Sequence, residues 1–287
     1  MPELPEVETI ARNLRPELVG RKIKKADLLW SRTLAKPTPE EFYQQIEGQQ
    51  IEAVGRRGKY FVTKLSDYHL FVHLRMSGDL YIKEESGSPE KHDLLILTIT
   101  PQSANSPNPT PPMGEGPGVR ATKLVFNDTR KFGRVWLVQD PDEVVGGLGP
   151  EPLSEEFTAQ MLYEKLQSRR RLLKPLLLDQ SFLAGLGNIY TDEALHRARL
   201  HPLTVSDSSS REQAQVLWEA IRETLREGIR RNGASIDWVY RGGEFQLYFR
   251  VYDRKGQPCP ECGTLVVRLV VGQRGTHVCP VCQRIGS

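Results

Sequence analysis

Four cysteines crowd the last thirty residues, as Cys259-Pro-Glu-Cys262 and, sixteen residues on, Cys279-Pro-Val-Cys282. C-x2-C-x16-C-x2-C is the spacing with which four thiolates close a tetrahedron round one zinc ion. Four protein ligands leave no open coordination position, so such a zinc is structural. The intervening VVRLVVGQRGTHV has two β-branched runs about a turn and reads as a hairpin that brings the pairs together. Two disulfides are the competing reading, but nothing else in the chain suggests an oxidising compartment. A redox C-x-x-C would want a βαβ surround that is missing, and His277 could serve as a ligand only in place of a cysteine. At the other end the chain begins MPELPEVE. A small second residue permits removal of Met1, which leaves Pro2 carrying a secondary amine beside Glu3. The same residues also read as a helix start, with Pro5 in the first turn and Glu6 and Glu8 at the positive end of the helix dipole.

Both ends must be positioned by what lies between. PEVETIARNLRPELVG has Val7, Ile10, Ala11, Leu14 and Leu18 at helical spacing, with Gly20 as its stop. Strand-like runs follow: KIKKADLLW, QIEAVGRRGKYFVTKL, HLFVHLRMSGDLYI, DLLILTIT, TKLVFND and RVWLVQD. Short strands joined by Gly, Asp and Ser turns indicate a sandwich or barrel. Residues 101–118, with six Pro and three Gly, interrupt two of them as a surface insertion that cannot order itself. GGLGPEPL, residues 146–153, marks a hinge, and beyond it REQAQVLWEAIRETLREGIRR is an amphipathic helix. The expected domains are 1–140 with the disordered insertion, a hinge at 141–150, a helical domain at 151–248 and a zinc module at 249–287.

With 38% hydrophobic and 26% charged residues the composition is that of an ordinary globular chain with ample core, and no apolar run approaches a membrane span. The acidic, helical-looking N-terminus is unlike a secretory signal, so a cytoplasmic protein is expected. Net charge is a mild +3, unevenly spread. Residues 1–150 carry 20 Lys+Arg and 20 Asp+Glu, whereas residues 250–287 carry six against two. A small basic module at one end fits a polyanionic partner.

MPELPEVET, KYFVTKL, HLRMSG, EKHD, TRKFG, LGPEPL, LKPLLLDQSFLAGLGNIYTDEAL and QRGTHVCPVCQ resemble, in order and over nearly the whole chain, the bacterial formamidopyrimidine-DNA glycosylases. The resemblance implies an α+β protein: an N-terminal β-sandwich with an initial helix, a helix–two-turns–helix domain and a C-terminal four-Cys zinc hairpin. It implies a monomeric base excision repair enzyme acting on damaged double-stranded DNA, with no membrane partner. Such an enzyme removes oxidised purines and cuts the abasic site by β,δ-elimination. Pro2 is then the Schiff-base nucleophile and Glu3 the general acid. A chain-end amine, with a reference pKa of about 7.7–8.0 against a lysine's 10.4, is partly neutral at working pH. Lys59 matches the proton donor for β-elimination, and Arg274, at the hairpin tip, the residue that assists δ-elimination. Met76, Arg130 and Phe132 match the wedge that fills the hole left by a flipped base. His92, Arg130 and Arg169 match DNA-binding positions. Lys174 and Asn188 match phosphate-holding ones, and the GLGN glycines would let backbone N–H groups approach a phosphate.

Three departures stand out: Arg75 where the family usually has Gly, Thr129 and Lys131 where Pro and Arg are usual, and an altered segment at 233–249, where the family covers the flipped base. The last bears on 8-oxoguanine preference, leaving formamidopyrimidines and hydantoins as alternatives. Two other functions are open to the same motifs: an endonuclease VIII-like glycosylase for oxidised pyrimidines, and a catalytically silent damage-binding protein.

Overall fold

The computed structural model describes residues 1–84, 86–101, 121–235 and 242–285. The expected insertion, past its first residue, and the centre of the 233–249 segment lie outside them. The described residues form two compact units. One contains Met1–Pro2 and Val7–Gly146. The other contains Glu3–Glu6, Gly147–Ser235 and the chain from Gly242 on. Glu3–Glu6 therefore belong by their contacts to the second unit, whereas the sequence groups them with residues 1–140.

Helix α1 (Leu4–Leu18) is followed by β1 (Ile23–Leu28), the short β2 (Leu34–Lys36) and α2 (Pro39–Ile46). Seven strands come next: β3 (Ile51–Arg57), β4 (Tyr60–Leu65), β5 (His69–His73), β6 (Gly78–Glu84), β7 (Asp93–Ile99), β8 (Thr122–Asp128) and β9 (Arg134–Val138). They make two sheets, ordered β1-β7-β8-β6 and β2-β9-β5-β4-β3. Alternate residues, Leu70 and Val72 of β5, Leu95, Leu97 and Ile99 of β7, and Val135 and Leu137 of β9, join Val7, Ile10, Ala11, Leu14 and Leu18 of α1 in one core. The period-2 and period-3.6 stripes of the sequence meet there. The sequence scan does not anticipate α2, although its signal is present. Thr38 and Glu41 form a capping box round Pro39 in the first turn.

Register sets what emerges at one end of this unit. His73 pairs with Tyr60 on one side and Arg134 on the other, while Gly78 pairs with Asp128. The Gly58–Lys59 turn, the 74–77 connection and the 129–133 connection thus leave the sheets side by side.

The second unit holds α4 (Ala159–Gln167), α5 (Leu173–Leu177), α6 (Asn188–Arg197), α7 (Arg211–Arg230) and the hairpin β10 (Val267–Val271)–β11 (Arg274–Val278). A four-residue helix, α3 (Asp142–Val145), ends the first. α7 begins at a capping box made by Ser210 and Gln213. The hairpin turns through Gly272 and Gln273, both at positive φ (+55° and +62°), the conformation a two-residue hairpin requires. Among the described residues, no helix is long and apolar enough to cross a membrane.

Candidate active site

Residues 3–6 are fastened to the start of α6. The buried Glu3 carboxylate accepts hydrogen bonds from the backbone N–H groups of Gly187 (2.5 Å) and Ile189 (2.9 Å). These are unpaired donors at a helix N-terminus, where the dipole also favours an anion. The expected anion at GLGN is a phosphate. Here the anion comes from the chain itself. Two glycines make room: a Cβ on Gly187 would lie 2.3 Å from Glu3 Cδ, and one on Gly185, at φ +94°, 2.6 Å from Leu4 Cδ1. Glu6, also buried, receives the Glu3 N–H, the Tyr190 hydroxyl and the Ala234 N–H, each at 2.7 Å. Pro2 itself is buried, with Met1 preceding it at the surface.

Lys174, Asn188 and Arg274 gather round the hairpin. The Lys174 ammonium, 0% exposed, is 2.6 Å from Asp192 Oδ1 and donates to the Gly275 carbonyl at 2.9 Å. Asn188 Nδ2 donates to the same carbonyl at 3.0 Å. Burial lowers the Lys174 pKa, against the raising pull of Asp192 and Glu3. The sequence makes Lys174 a phosphate holder; in the structure its charge is committed inside the protein. Arg274 is exposed at the first position of β11, beside the turn. Arg169 is exposed after α4, its carbonyl accepting from the Ser206 hydroxyl.

In the first unit the residues expected to form a wedge protrude. Met76 is 42% and Phe132 53% exposed, and the Arg130 guanidinium sits 5.2 Å from the Phe132 ring centre. Both connections are pinned by Asp128, which is 0% exposed. Its carboxylate accepts from the Ser77 hydroxyl and from the N–H groups of Arg130 (3.0 Å), Phe132 (2.8 Å) and Gly133 (2.7 Å). Its own N–H donates to the carbonyl of His92, whose φ is +82°. Lys131 lies 3.9 Å from the Trp30 ring centre, a contact that requires no bidentate fork. Beside Lys59 stands His73. Burial, with help from the Arg75 and Lys59 charges, lowers its pKa to about 3. Its neutral ring accepts the Arg75 N–H at Nδ1 (3.0 Å), which leaves Nε2 as the protonated nitrogen.

Family models match three consecutive stretches of this chain: "Formamidopyrimidine-DNA glycosylase N-terminal domain" over residues 1–135, "Formamidopyrimidine-DNA glycosylase H2TH domain" over 148–239, and "Zinc finger found in FPG and IleRS" over 256–285. The formamidopyrimidine-DNA glycosylase of Chloroflexus aurantiacus is 44% identical over 291 residues, covering 99% of this chain and 98% of its own. That of Protochlamydia amoebophila is 42% identical over 294 residues, covering 99% and 100%. This chain belongs to the formamidopyrimidine-DNA glycosylase family. Solved structures agree. MutM in complex with DNA containing carbocyclic 8-oxo-G superposes with a TM-score of 0.85 at 33% identity, covering 99% of this chain and 100% of that one. Lactococcus lactis FPG (MutM) with FAPY-dG DNA gives 0.85 at 33%, covering 98% and 100%.

The glycosylase fold ends in a thiol cluster that suits zinc. All four cysteines are unbridged, and their sulfurs lie within 4.8 Å of one another. The Cys262–Cys279 and Cys259–Cys282 separations of 3.5 and 3.9 Å bracket the edge of about 3.8 Å that a tetrahedron of Zn–S bonds near 2.3 Å requires. The cluster does not include His277, whose ring Nδ1 lies 3.5 Å from Asp192 Oδ2 of α6. Sequence reasoning passed over His196, whose Nε2 is 3.3 Å from Cys259 Sγ. Asp128, Asp192 and Glu193 were missed as well. Each is a buried carboxylate with at least one donor from a distant segment (Ser77 for Asp128, His277 for Asp192, residues 250–252 for Glu193), which no local spacing announces.

Proposed function

We propose that this chain is a zinc-containing DNA glycosylase and abasic-site lyase that removes oxidised purines from duplex DNA. It acts as a monomer within the compartment that holds the DNA. The relatives are named formamidopyrimidine-DNA glycosylase, and solved neighbours hold DNA containing 8-oxo-G, FAPY-dG or an AP site. One observation of this chain carries the reading furthest: the Glu3 carboxylate is gripped by the start of α6, which fixes the residue bonded to Pro2.

On this reading Met1 is removed and the neutral Pro2 amine attacks C1′. The C1′–N bond forms as the glycosidic bond breaks, and Glu3 supplies a proton to the opening sugar. The resulting iminium acidifies the C2′ proton. Its loss, with the C3′–O electron pair going to the departing 3′-phosphate, breaks the strand, and Lys59 donates a proton in this first elimination. In the second elimination the C4′–H and C5′–O bonds break and a C4′=C5′ double bond forms. The departing phosphate takes the C–O electron pair, and Arg274 offsets its charge. Met76 and Phe132 fill the vacated stack, and Arg130 meets the orphaned base through its planar fork. His92 and Arg169 contact the DNA. Cys259, Cys262, Cys279 and Cys282 would hold the zinc, whose part is to stiffen the hairpin.

Borohydride trapping on abasic duplex tests the proposal. A covalent adduct that disappears in Pro2→Gly is expected; no adduct from the wild type would favour the silent damage-binding reading. Excision from 8-oxoguanine, formamidopyrimidine, hydantoin and thymine glycol duplexes separates lesion classes. Preference for thymine glycol would move the chain to the endonuclease VIII type.

A further inference from the structure

β11 has two edges. Val271 and Arg274 close the turn as a hydrogen-bonded pair, so Gly275 and His277, at alternate positions in register with Val270 and Arg268, direct their backbone groups away from β10. On that outer edge the Gly275 carbonyl takes two donors, Lys174 Nζ at 2.9 Å and Asn188 Nδ2 at 3.0 Å. The His277 N–H is taken by Asp192 Oδ2 at 2.9 Å. Asp192 Oδ1 holds Lys174 at 2.6 Å, and neither side chain of this pair has any exposure. An apolar pair of similar volume would fill the space without the desolvation cost of two buried charges. It could not, however, supply a donor to Gly275 and an acceptor to His277.

We propose that Asp192, acting through Lys174, is a positioning residue for Arg274: the buried pair fixes the outer edge of β11, and with it the place of the arginine one residue before Gly275. This rests on the role given to Arg274 in the second elimination. The Asp192 side chain has no exposed surface with which to meet sugar or phosphate. Its effect is on the balance between the two strand-cleavage steps rather than on formation of the iminium. Asp192→Asn keeps an oxygen for the His277 N–H but removes the charge that anchors Lys174, so the clamp on Gly275 loosens.

The test uses the full-length zinc-loaded protein on duplex with a preformed abasic site. It compares the ratio of 3′-phosphate ends (both eliminations) to 3′-unsaturated-aldehyde ends (the first alone). Borohydride trapping and bound zinc are measured alongside. Asp192→Asn should lower the 3′-phosphate fraction about tenfold, less than the roughly hundredfold that a 1 Å misplacement of a catalytic group costs, with trapping within about twofold of wild type. Asp192→Glu, which keeps the charge, should recover much of the ratio, and Arg274→Ala should show the largest shift. A wild-type ratio in Asp192→Asn alongside a shifted Arg274→Ala overturns the positioning role alone. A wild-type ratio in Arg274→Ala overturns the assignment of Arg274 and this proposal with it. Parallel loss of trapping and 3′-phosphate in both Asp192 variants overturns positioning in favour of a general structural role.

Discussion

The Ser77 hydroxyl donates to the Asp128 carboxylate across 51 positions of chain, joining the connection that carries Met76 to the one that carries Arg130 and Phe132. Three backbone N–H groups of the second connection end on the same carboxylate. A single buried acid therefore sets the spacing of Met76, Arg130 and Phe132, the three residues proposed as the wedge. Apolar side chains as exposed as Met76 and Phe132 gain nothing by themselves in water; holding them proud is the work of Asp128.

Asp128→Ala would leave several buried donors unsatisfied, at about 1–3 kcal/mol for such a group. Chemical denaturation should show a loss of about 3 kcal/mol or more. Asp128→Asn keeps one acceptor and should cost less. Because the wedge matters only where a base must leave the stack, Asp128→Asn should slow excision from duplex far more than cleavage of a single-stranded abasic site. Equal slowing of both would disconnect Asp128 from base displacement.

How much of this was legible in advance follows the range of the signal. The α1 stripe from Val7 to Leu18, the strand alternation and the cysteine spacing are local patterns, and each element appears where its pattern lies. The capping box of α2, Thr38 with Glu41, is an equally local signal. Asp128, Asp192 and Glu3 are different in kind. Their partners sit at Ser77, at Gly275 and His277, and at Gly187 and Ile189, so their roles exist only once the chain has folded. Lys174 combines both ranges: its motif resembles a phosphate-holding one, while its pairing with Asp192, eighteen residues away, is set by the fold.

Arg75 stands in the left-handed region at φ +56°, where an L side chain costs about 1–2 kcal/mol and glycine almost nothing. That accounts for the glycine usual at this place in the family. Arg75→Gly should raise stability by roughly 0.5–1 kcal/mol, since the freer unfolded chain takes back part of the gain. Arg75→Ala should not. The same change removes a cation beside Lys59 and His73, so DNA binding should weaken with a shallower salt dependence. An unchanged salt slope would show that Arg75 meets no phosphate.

His73 makes a prediction in pH. Its folded pKa is held near 3 by burial and by the Arg75 and Lys59 charges, against an ordinary 6.5. Between these values the unfolded chain binds the extra proton, so stability is full above about pH 6.5 and falls as pH drops toward 3. At 1.36 kcal/mol per unit the total is at most about 5 kcal/mol. His73→Asn, which cannot titrate, should flatten this part of the pH–stability curve. An unchanged slope between pH 4 and 6.5 would assign the acid sensitivity to other groups.

Glu193 ties the segment that leads into the zinc module to α6. Its buried carboxylate accepts the N–H groups of Arg250, Val251 and Tyr252 at 2.8, 3.0 and 2.8 Å. Glu193→Ala strands all three donors, and a loss of about 3 kcal/mol or more is expected. Chelator-driven zinc release should quicken with it, because the segment before Cys259 loses its anchor. Glu193→Gln keeps the oxygen that accepts from Val251 and Tyr252 and should be milder on both counts. Unaltered release in Glu193→Ala would mean that the thiolates hold the module without help from α6.

Gly187 is the sharpest point of the site. A methyl group there would fall 2.3 Å from Glu3 Cδ and 2.5 Å from Oε1, while the N–H of the same residue holds that carboxylate. Gly187→Ala cannot keep both the helix start and Glu3 where they are. A displacement of about 1 Å is worth roughly a hundredfold in rate when it falls on a catalytic group. Base excision and abasic-site cleavage should therefore drop together by about that factor in single-turnover assays, since the proposed iminium chemistry begins at the residue bonded to Glu3. Zinc content should stay at one per chain, because the thiolates are held by other segments. Wild-type rates in a correctly folded Gly187→Ala would show that the grip of α6 on Glu3 has no part in the chemistry.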